Sequence, residues 1–105
     1  MESATPPDDC RTMAEVRAGV DALDRQLVAL LARRFAYMRA AARIKPERAA
    51  VRDEARKAAV IAAAQAEAQR LGAPEKRIAG LWEVLVESSI AYEFEHWDAQ
   101  GRTSP

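Results

Sequence analysis

The longest regular pattern along the chain runs from Thr12 to Ile44, where apolar residues recur at steps of three and four and no proline interrupts them. This spacing places the apolar side chains on one face of an α-helix. The face is formed by Val16, Val20, Leu23, Leu27, Leu30, Leu31, Phe35 and Met38. Thr12 and Glu15 predict a capping box at the start of the helix. Pro46 ends it, because proline disfavours helical backbone in the preceding residue.

Two shorter helices are predicted between Arg52 and Asp98, with Gly72 and Pro74 between them. The first, from about Arg52 to Leu71, is rich in alanine, which favours helix formation. Glycine suits the residue after a helix, and proline suits the first turn of the next one. The last helix takes its apolar face from Ile78, Leu81, Trp82, Leu85, Val86, Ile90 and Phe94. No segment shows the pattern of a strand, so we predict an all-α fold with three helices per chain.

The length of 105 residues suits one domain rather than two. We expect a single helical domain over residues 12–99, a flexible N-terminal segment over residues 1–11 and a flexible C-terminal tail over residues 100–105. Aromatic residues make up only 6% of the composition, so the core must be built mainly from aliphatic side chains. His96 and Trp97, at the end of the last helix, are expected at the surface or in an interface.

The first helix is long for a chain of this size. About 30 residues rise roughly 45–50 Å along a helix axis, whereas a compact monomer of this length has a radius of gyration of about 13 Å. Two shorter helices from the same chain cannot cover the apolar face along its whole length. We therefore predict an intertwined helical homodimer, in which a second copy covers the rest of that face.

Composition narrows the range of partners. Lys and Arg number 16, as do Asp and Glu, and this zero net charge argues against nucleic acid as a partner. The sequence has neither a long apolar run nor a basic region followed by one, so we expect no membrane association and a cytoplasmic protein. Cys10 cannot form an intrachain disulfide by itself, and Cys10 with His96 is too small a set to bind zinc, so no metal site is predicted.

Polar residues that stand on apolar helix faces are the candidate functional residues. Arg34 continues the apolar face of the first helix, and Lys45 follows from Ala41 by a step of four. Arg34 and Lys45 lie about 20° apart around the axis and roughly 16 Å apart along it. Two cations on such a face favour an anionic ligand; the alternative is that both side chains extend to water at the helix edges.

Arg17 precedes Arg34 by about 25 Å along the helix, so one small molecule cannot touch both on one chain. In an antiparallel dimer, Arg17 of one chain can meet Arg34 of the other. That arrangement gives two equivalent sites, each drawing on both subunits. A solvated surface position is the ordinary alternative for Arg17.

The third helix carries Ser89 and Glu93 on its expected buried face. A hydroxyl and a carboxyl there need hydrogen-bond partners or a ligand. In the structural alternative, the serine bonds back to its own helix and the glutamate pairs with an arginine. The first turn of the second helix adds a charged group that by itself fits a solvated face: Arg52, Asp53, Arg56 and Lys57.

Taken in order, these residues resemble the all-helical (AroQ-type) chorismate mutases and the related isochorismate-pyruvate lyases. The resemblance extends from Asp9 to Trp97 and rests on five pieces: Val16–Asp24, Leu30–Arg34, Ile44–Lys45, Val51–Asp53 with Arg56, and Glu87–Ser89 with Glu93. It implies the chorismate mutase II fold as an intertwined homodimer with two sites and no cofactor. The implied substrate is a small dicarboxylate, chorismate or isochorismate.

The resemblance also implies which residues hold the substrate. Arg17 of one chain, with Arg34 and Arg56 of the other, would bind its two carboxylates. Ser89 would contact one carboxylate, and Asp53 would lie near the ring hydroxyl. Arginine suits such contacts because its planar fork binds a carboxylate through two hydrogen bonds.

Lys45 and Glu93 would contact the ether oxygen of the substrate, with Arg34 beside them as a third catalytic residue. The Claisen rearrangement of chorismate to prephenate, a step of aromatic amino-acid metabolism in the shikimate pathway, needs no nucleophile. It needs orientation of the enolpyruvyl group and stabilisation of charge at the breaking C–O bond. A carboxyl at position 93 donates a hydrogen bond to that oxygen only when it is protonated.

Three functions stay open. Serine four residues before position 93 is the mutase arrangement, and it favours chorismate mutase. Pro7–Cys10, leading into Val16–Arg17, resembles the lyase branch, so isochorismate-pyruvate lyase is the alternative. A non-catalytic helical dimer module is the third possibility, and the intact set of cations argues against it. Lys57 stands where several mutases have a glutamate that binds the ring hydroxyl.

Overall fold

The computed structural model describes residues 4–101. The order of elements is a 3₁₀ turn at Pro7–Asp9, helix α1 at Met13–Ile44, a second 3₁₀ turn at Arg48–Val51, α2 at Glu54–Leu71 and α3 at Glu75–Ala99. No strand is formed within residues 4–101, so the predicted all-α fold with three helices is confirmed. None of these helices is both long enough and apolar enough to cross a membrane.

The chain divides into two compact units, Met1–Arg34 and Phe35–Pro105, and the boundary falls inside α1. The domain limits at residues 12 and 99 and the flexibility of the chain ends stay predictions. Residues 1–3 and 102–105, which form part of the expected flexible ends, lie outside the described residues.

The start of α1 is fixed by the predicted capping box. The Glu15 backbone N–H donates to Thr12 Oγ1 at 3.2 Å, and Glu15 Oε1 accepts from the Thr12 N–H at 3.0 Å. The same carboxylate accepts from the Arg11 N–H at 2.9 Å and from Thr5 Oγ1 at 3.2 Å. These hydrogen bonds, with that from Arg11 the strongest, hold the pKa of Glu15 below its usual value.

The first unit also contains apolar side chains that the described chain leaves uncovered. They are between 38% and 59% exposed, and they are Val16, Val20, Leu23, Leu27 and Leu30. These are the residues that the helical spacing places on one face of α1. Ala22, in contrast, is buried.

The ends of α2 and α3 follow the expected residue preferences with small shifts. Asp53 is the N-cap of α2, so the helix begins two residues later than expected. Gly72 adopts a left-handed conformation with φ of 71°, and its N–H bonds to the carbonyls of the last turn. Pro74 is the N-cap of α3 rather than a residue of its first turn.

The core of the second unit forms where α3 meets the end of α1 and the 3₁₀ turn at Arg48–Val51. Its buried members are Ala42, Val51, Val86, Ile90 and Trp97. Trp97 is only 1% exposed, so the expected surface or interface position is wrong. The indole supplies the large apolar body that this aliphatic core otherwise lacks. His96 is half-buried, and its ring lies 4.5 Å from that of Tyr92.

Candidate active site

Lys45 and Glu93 are brought together by the second unit. Lys45 directly follows α1, and Glu93 lies on the buried face of α3. Lys45 Nζ lies 2.6 Å from Glu93 Oε2, a short charge-assisted contact. The indole N–H of Trp97 donates to the Lys45 carbonyl at 3.1 Å, so the backbone of Lys45 is also held by α3.

The environment of this pair is asymmetric. The Glu93 side chain is 5% exposed, whereas that of Lys45 is 30% exposed. A carboxylate so deeply buried needs a cation beside it, and Lys45 supplies one. An ammonium group has three donors, so it can bond Glu93 and still direct another N–H towards a bound molecule. The arrangement can therefore place a fixed positive charge at an anionic or ether oxygen.

Ser89 is buried one helical turn before Glu93 on the same face of α3. Its Oγ donates to the Leu85 carbonyl at 2.7 Å, the bond to its own helix that the structural alternative expects. Glu93 pairs with a lysine rather than with an arginine. Among the described residues, no buried side-chain nitrogen or oxygen lacks a hydrogen-bond partner. The polar residues on this face are therefore compatible with the fold before any ligand binds.

The first turn of α2 carries Asp53 and Arg56. Asp53 Oδ1 accepts from the Arg56 backbone N–H at 2.9 Å, so this carboxylate caps the helix. Arg56 is exposed, and its guanidinium forms no ion pair with any residue between 4 and 101. The structure gives Asp53 a local structural role and leaves the Arg56 charge accessible. The predicted contacts of both residues with a substrate stay predictions.

Around this turn lies an ion-pair network that the sequence analysis did not identify. Arg52 binds Glu87 through both ends of its fork, with its Nη2 2.8 Å from Glu87 Oε1. Lys57 Nζ lies 2.7 Å from Glu83 Oε1 and 2.8 Å from Glu87 Oε2. The step of four between Glu83 and Glu87 on α3 was the available signal. The spacing could not show that α2 would supply the cations.

The network shifts the pKa values of its members in the direction expected for close opposite charges. Arg52, and then Lys57, lower the pKa of Glu87 to about 2. Glu83, and then Glu87, raise the pKa of Lys57 above its usual value. Arg52, Lys57 and Glu87 therefore stay charged near neutral pH.

Arg17 and Arg34 belong to the first unit, and the other predicted site residues belong to the second. Arg17 is exposed and Arg34 is half-buried. Both lie on α1, where their separation along the axis is about 25 Å. Arg17 and Arg34 of one chain therefore cannot contact the same small molecule, as the sequence analysis expects.

Comparison with known proteins identifies relatives of the whole helical region. The family model described as chorismate mutase type II matches residues 16–94. The chain is also 31% identical over 91 residues to the isochorismate pyruvate lyase of Pseudomonas aeruginosa, a match that covers 87% of this chain and 90% of the relative. The family match includes every predicted site residue from Arg17 to Glu93.

Proposed function

Because the chain belongs to the type II chorismate mutase family, whose members are enzymes, we propose that it catalyses the rearrangement of chorismate to prephenate. The contact between Lys45 and Glu93 carries this proposal. It places a lysine ammonium beside a carboxyl that is almost completely buried. The reaction needs a positive charge held at the ether oxygen, since negative charge develops there as the C–O bond breaks.

Lys45 acts as the fixed positive charge at the ether oxygen. Its backbone is held by Trp97 and its side chain by Glu93, so little reorganisation is needed when charge develops. Glu93 acts from the other side of the same oxygen. When protonated, it donates a hydrogen bond to that oxygen, and when ionised, it holds Lys45 but repels the developing charge.

The arginines orient the substrate. Arg34 and Arg56 of one chain, with Arg17 of a second chain, bind the two carboxylates and hold the enolpyruvyl group over the ring. Ser89 contacts a carboxylate, and Asp53 lies near the ring hydroxyl. Holding the substrate in its reactive shape accounts for a large part of the acceleration, because the rearrangement occurs within one molecule.

A homodimer completes this site. The exposed apolar residues of α1, from Val16 to Leu30, support a second copy as the covering partner. The length of α1 supports it as well, since 32 residues rise about 48 Å. An antiparallel pairing brings Arg17 of one chain towards Arg34 of the other, and each dimer then has two sites.

Isochorismate-pyruvate lyase is the second candidate, and the relative from Pseudomonas aeruginosa supports it. Elimination of pyruvate from isochorismate breaks the same kind of C–O bond in a similar dianion. Lys45 would stabilise the departing oxygen in both reactions. The two functions therefore share the site residues and differ in how the enolpyruvyl group is held.

Product identification distinguishes these functions. The protein is incubated separately with chorismate and with isochorismate, and the products are identified by NMR. A chain carrying both Lys45→Met and Glu93→Gln, purified in parallel, reports any contaminating host enzyme. Prephenate from chorismate supports the mutase, whereas salicylate and pyruvate from isochorismate alone support the lyase. If neither compound is turned over, both proposals are contradicted and a non-catalytic helical dimer is favoured.

A further inference from the structure

Glu87 is the centre of the ion-pair network between α2 and α3. Its Oε1 accepts from Arg52 Nη2, while its Oε2 accepts from Arg52 Nη1 at 3.1 Å and from Lys57 Nζ at 2.8 Å. A forked contact of this kind fixes orientation as well as distance. Glu83, one turn earlier on α3, contacts Lys57 and forms no ion pair with Arg52 within residues 4–101.

The two cations bound by Glu87 lie on opposite sides of the α2 N-cap. Arg52 precedes the capping residue Asp53, and Lys57 lies one turn into the helix. Between them, the Asp53 carboxylate holds the Arg56 backbone N–H at 2.9 Å. Glu87 therefore attaches both ends of the turn that carries Arg56 to α3.

The network also determines which positive charge of this turn is available to a ligand. Acidic side chains of α2 and α3 neutralise Arg52 and Lys57. Arg56 is exposed, and its guanidinium has no ion-pair partner in residues 4–101. Among the described residues of this turn, Arg56 is therefore the cation whose charge no acidic side chain neutralises.

We propose that Glu87 is a positioning residue, which fixes the first turn of α2 against α3 so that Arg56 meets a substrate carboxylate. The inference rests on the proposed function, in which Arg56 binds the substrate while Ser89 and Glu93 contact it from α3. Loss of the Glu87 charge removes the only fork that joins Arg52 to α3 among residues 4–101 and one of the two Lys57 contacts, which leaves Glu83 alone to hold the turn against α3. The turn can then move relative to the two substrate contacts on α3.

Glu87→Gln in the full chain tests this role, because glutamine keeps the size of the side chain and removes its charge. KM for chorismate should rise about tenfold, the change expected when one charge-assisted contact to the substrate is weakened. The turnover number kcat should change by less than about threefold, because Lys45 and Glu93 are not moved. Isochorismate replaces chorismate as the substrate if only isochorismate is turned over.

Two control variants distinguish the positioning role of Glu87 from a general effect of lost charge and from a general loss of stability. Glu83→Gln makes the same charge change one turn away, but it leaves the Arg52–Glu87 fork in place. Asp98→Asn breaks an ion pair with Arg48 of similar exposure at the other end of α3. Both controls should leave KM within about twofold of the wild-type value. A similar rise of KM in Glu83→Gln and Glu87→Gln would overturn the positioning role, as would an unchanged KM in Glu87→Gln.

Hydrogen exchange gives a readout that does not depend on turnover. The Arg56 amide, which bonds to Asp53, should exchange about tenfold faster in Glu87→Gln than in the wild-type protein and in Asp98→Asn. If wild-type protein turns over neither substrate, the proposed function fails, and this exchange rate still decides whether Glu87 fixes the turn. Unchanged exchange at Arg56 would contradict the inference.

Discussion

The indole N–H of Trp97 donates to the backbone carbonyl of Lys45 at 3.1 Å, across 52 residues of sequence. The end of α1 is thereby attached to α3 at the residue that carries the candidate catalytic ammonium. The same two elements are joined a second time through the Lys45–Glu93 side-chain contact. Both the backbone and the side chain of Lys45 are therefore positioned by α3.

Trp97→Phe should reduce both stability and turnover. The variant removes the indole N–H that donates to the Lys45 carbonyl, and it creates a small cavity in the core. We expect the free energy of unfolding to fall by about 2 kcal/mol. The turnover number should fall as well, because Lys45 is less well held. Trp82→Phe, the same substitution at a half-buried position of α3, is the control. Equal losses of turnover in the two variants would show that the bond to Lys45 has no special role.

Acid should weaken the attachment of α2 to α3. Arg52 and Lys57 hold the pKa of Glu87 at about 2, below its ordinary value near 4.5. A carboxylate whose pKa is depressed by folding stabilises the protein above its ordinary pKa, and this contribution is lost as pH falls towards the folded-state value. The Tm should therefore fall between about pH 4.5 and pH 2, and less steeply in Glu87→Gln.

High salt should reduce that difference between the wild-type protein and Glu87→Gln, since these side chains are partly exposed and their attraction is screened. Thermal unfolding followed by circular dichroism over this pH range, at low and high salt, measures both effects. If Tm falls equally steeply with decreasing pH in the wild-type protein and in Glu87→Gln, the contribution of the Glu87 carboxylate to stability is contradicted.

Glu93→Gln should change the pH dependence of catalysis. A carboxyl donates to the ether oxygen only when it carries a proton, whereas an amide donates at any pH, so kcat/KM of the wild-type protein should vary more with pH than that of Glu93→Gln. Glutamine is a permanent donor of the same shape, so its profile should be flat, with activity kept at neutral pH. The measurement is kcat/KM against pH for both proteins.

Equal pH profiles in the two proteins, or an inactive Glu93→Gln, would assign a different role to this carboxyl. Glu93 would then serve as the ionised partner that orients Lys45. The contact of 2.6 Å between them is the structural basis of that role.

Mixed dimers should reveal whether a site draws on two chains. Arg17→Ala and Arg34→Ala should each be nearly inactive by themselves. After subunit exchange, a mixed dimer has one site that lacks both arginines and one intact site. About a quarter of all sites should then be restored if subunits exchange at random. Mass spectrometry verifies that the subunits have exchanged. If activity does not recover after that exchange, the crossed arrangement is contradicted.

Local signals explain why most of the fold could be predicted from sequence. Thr12 and Glu15 form the expected capping box, and Gly72 ends α2 as its residue type suggests. These features depend on neighbours three or four residues away. Pro74 shows the limit of such rules, because it lies one position before the predicted first turn.

The misjudged residues depend on contacts between distant elements. Trp97 stands near the end of α3 beside polar residues, and it becomes part of the core in a buried cluster that includes Ala42 and Val51 from outside α3. From the sequence alone, Arg52 and Lys57 fit a solvated face. In the folded chain, Glu87 of α3 forms ion pairs with both. The sequence pattern indicates Lys45 and Glu93 separately, each as a polar residue on an apolar helix face. Their direct contact joins two distant parts of the chain, and periodicity within one helix cannot predict it.

The proposed role of the Lys45 ammonium, stabilising charge on the ether oxygen, is tested most directly in the Glu93→Gln background. Removing Lys45 alone would leave a buried carboxylate without its cation, which can unfold the protein. Measurement of kcat with chorismate, for Glu93→Gln with and without Lys45→Met, isolates the ammonium. We predict a fall of about 100-fold or more, the scale of a lost preorganised donor, with the helical circular dichroism unchanged. Turnover within about threefold of the Glu93→Gln value would contradict the account.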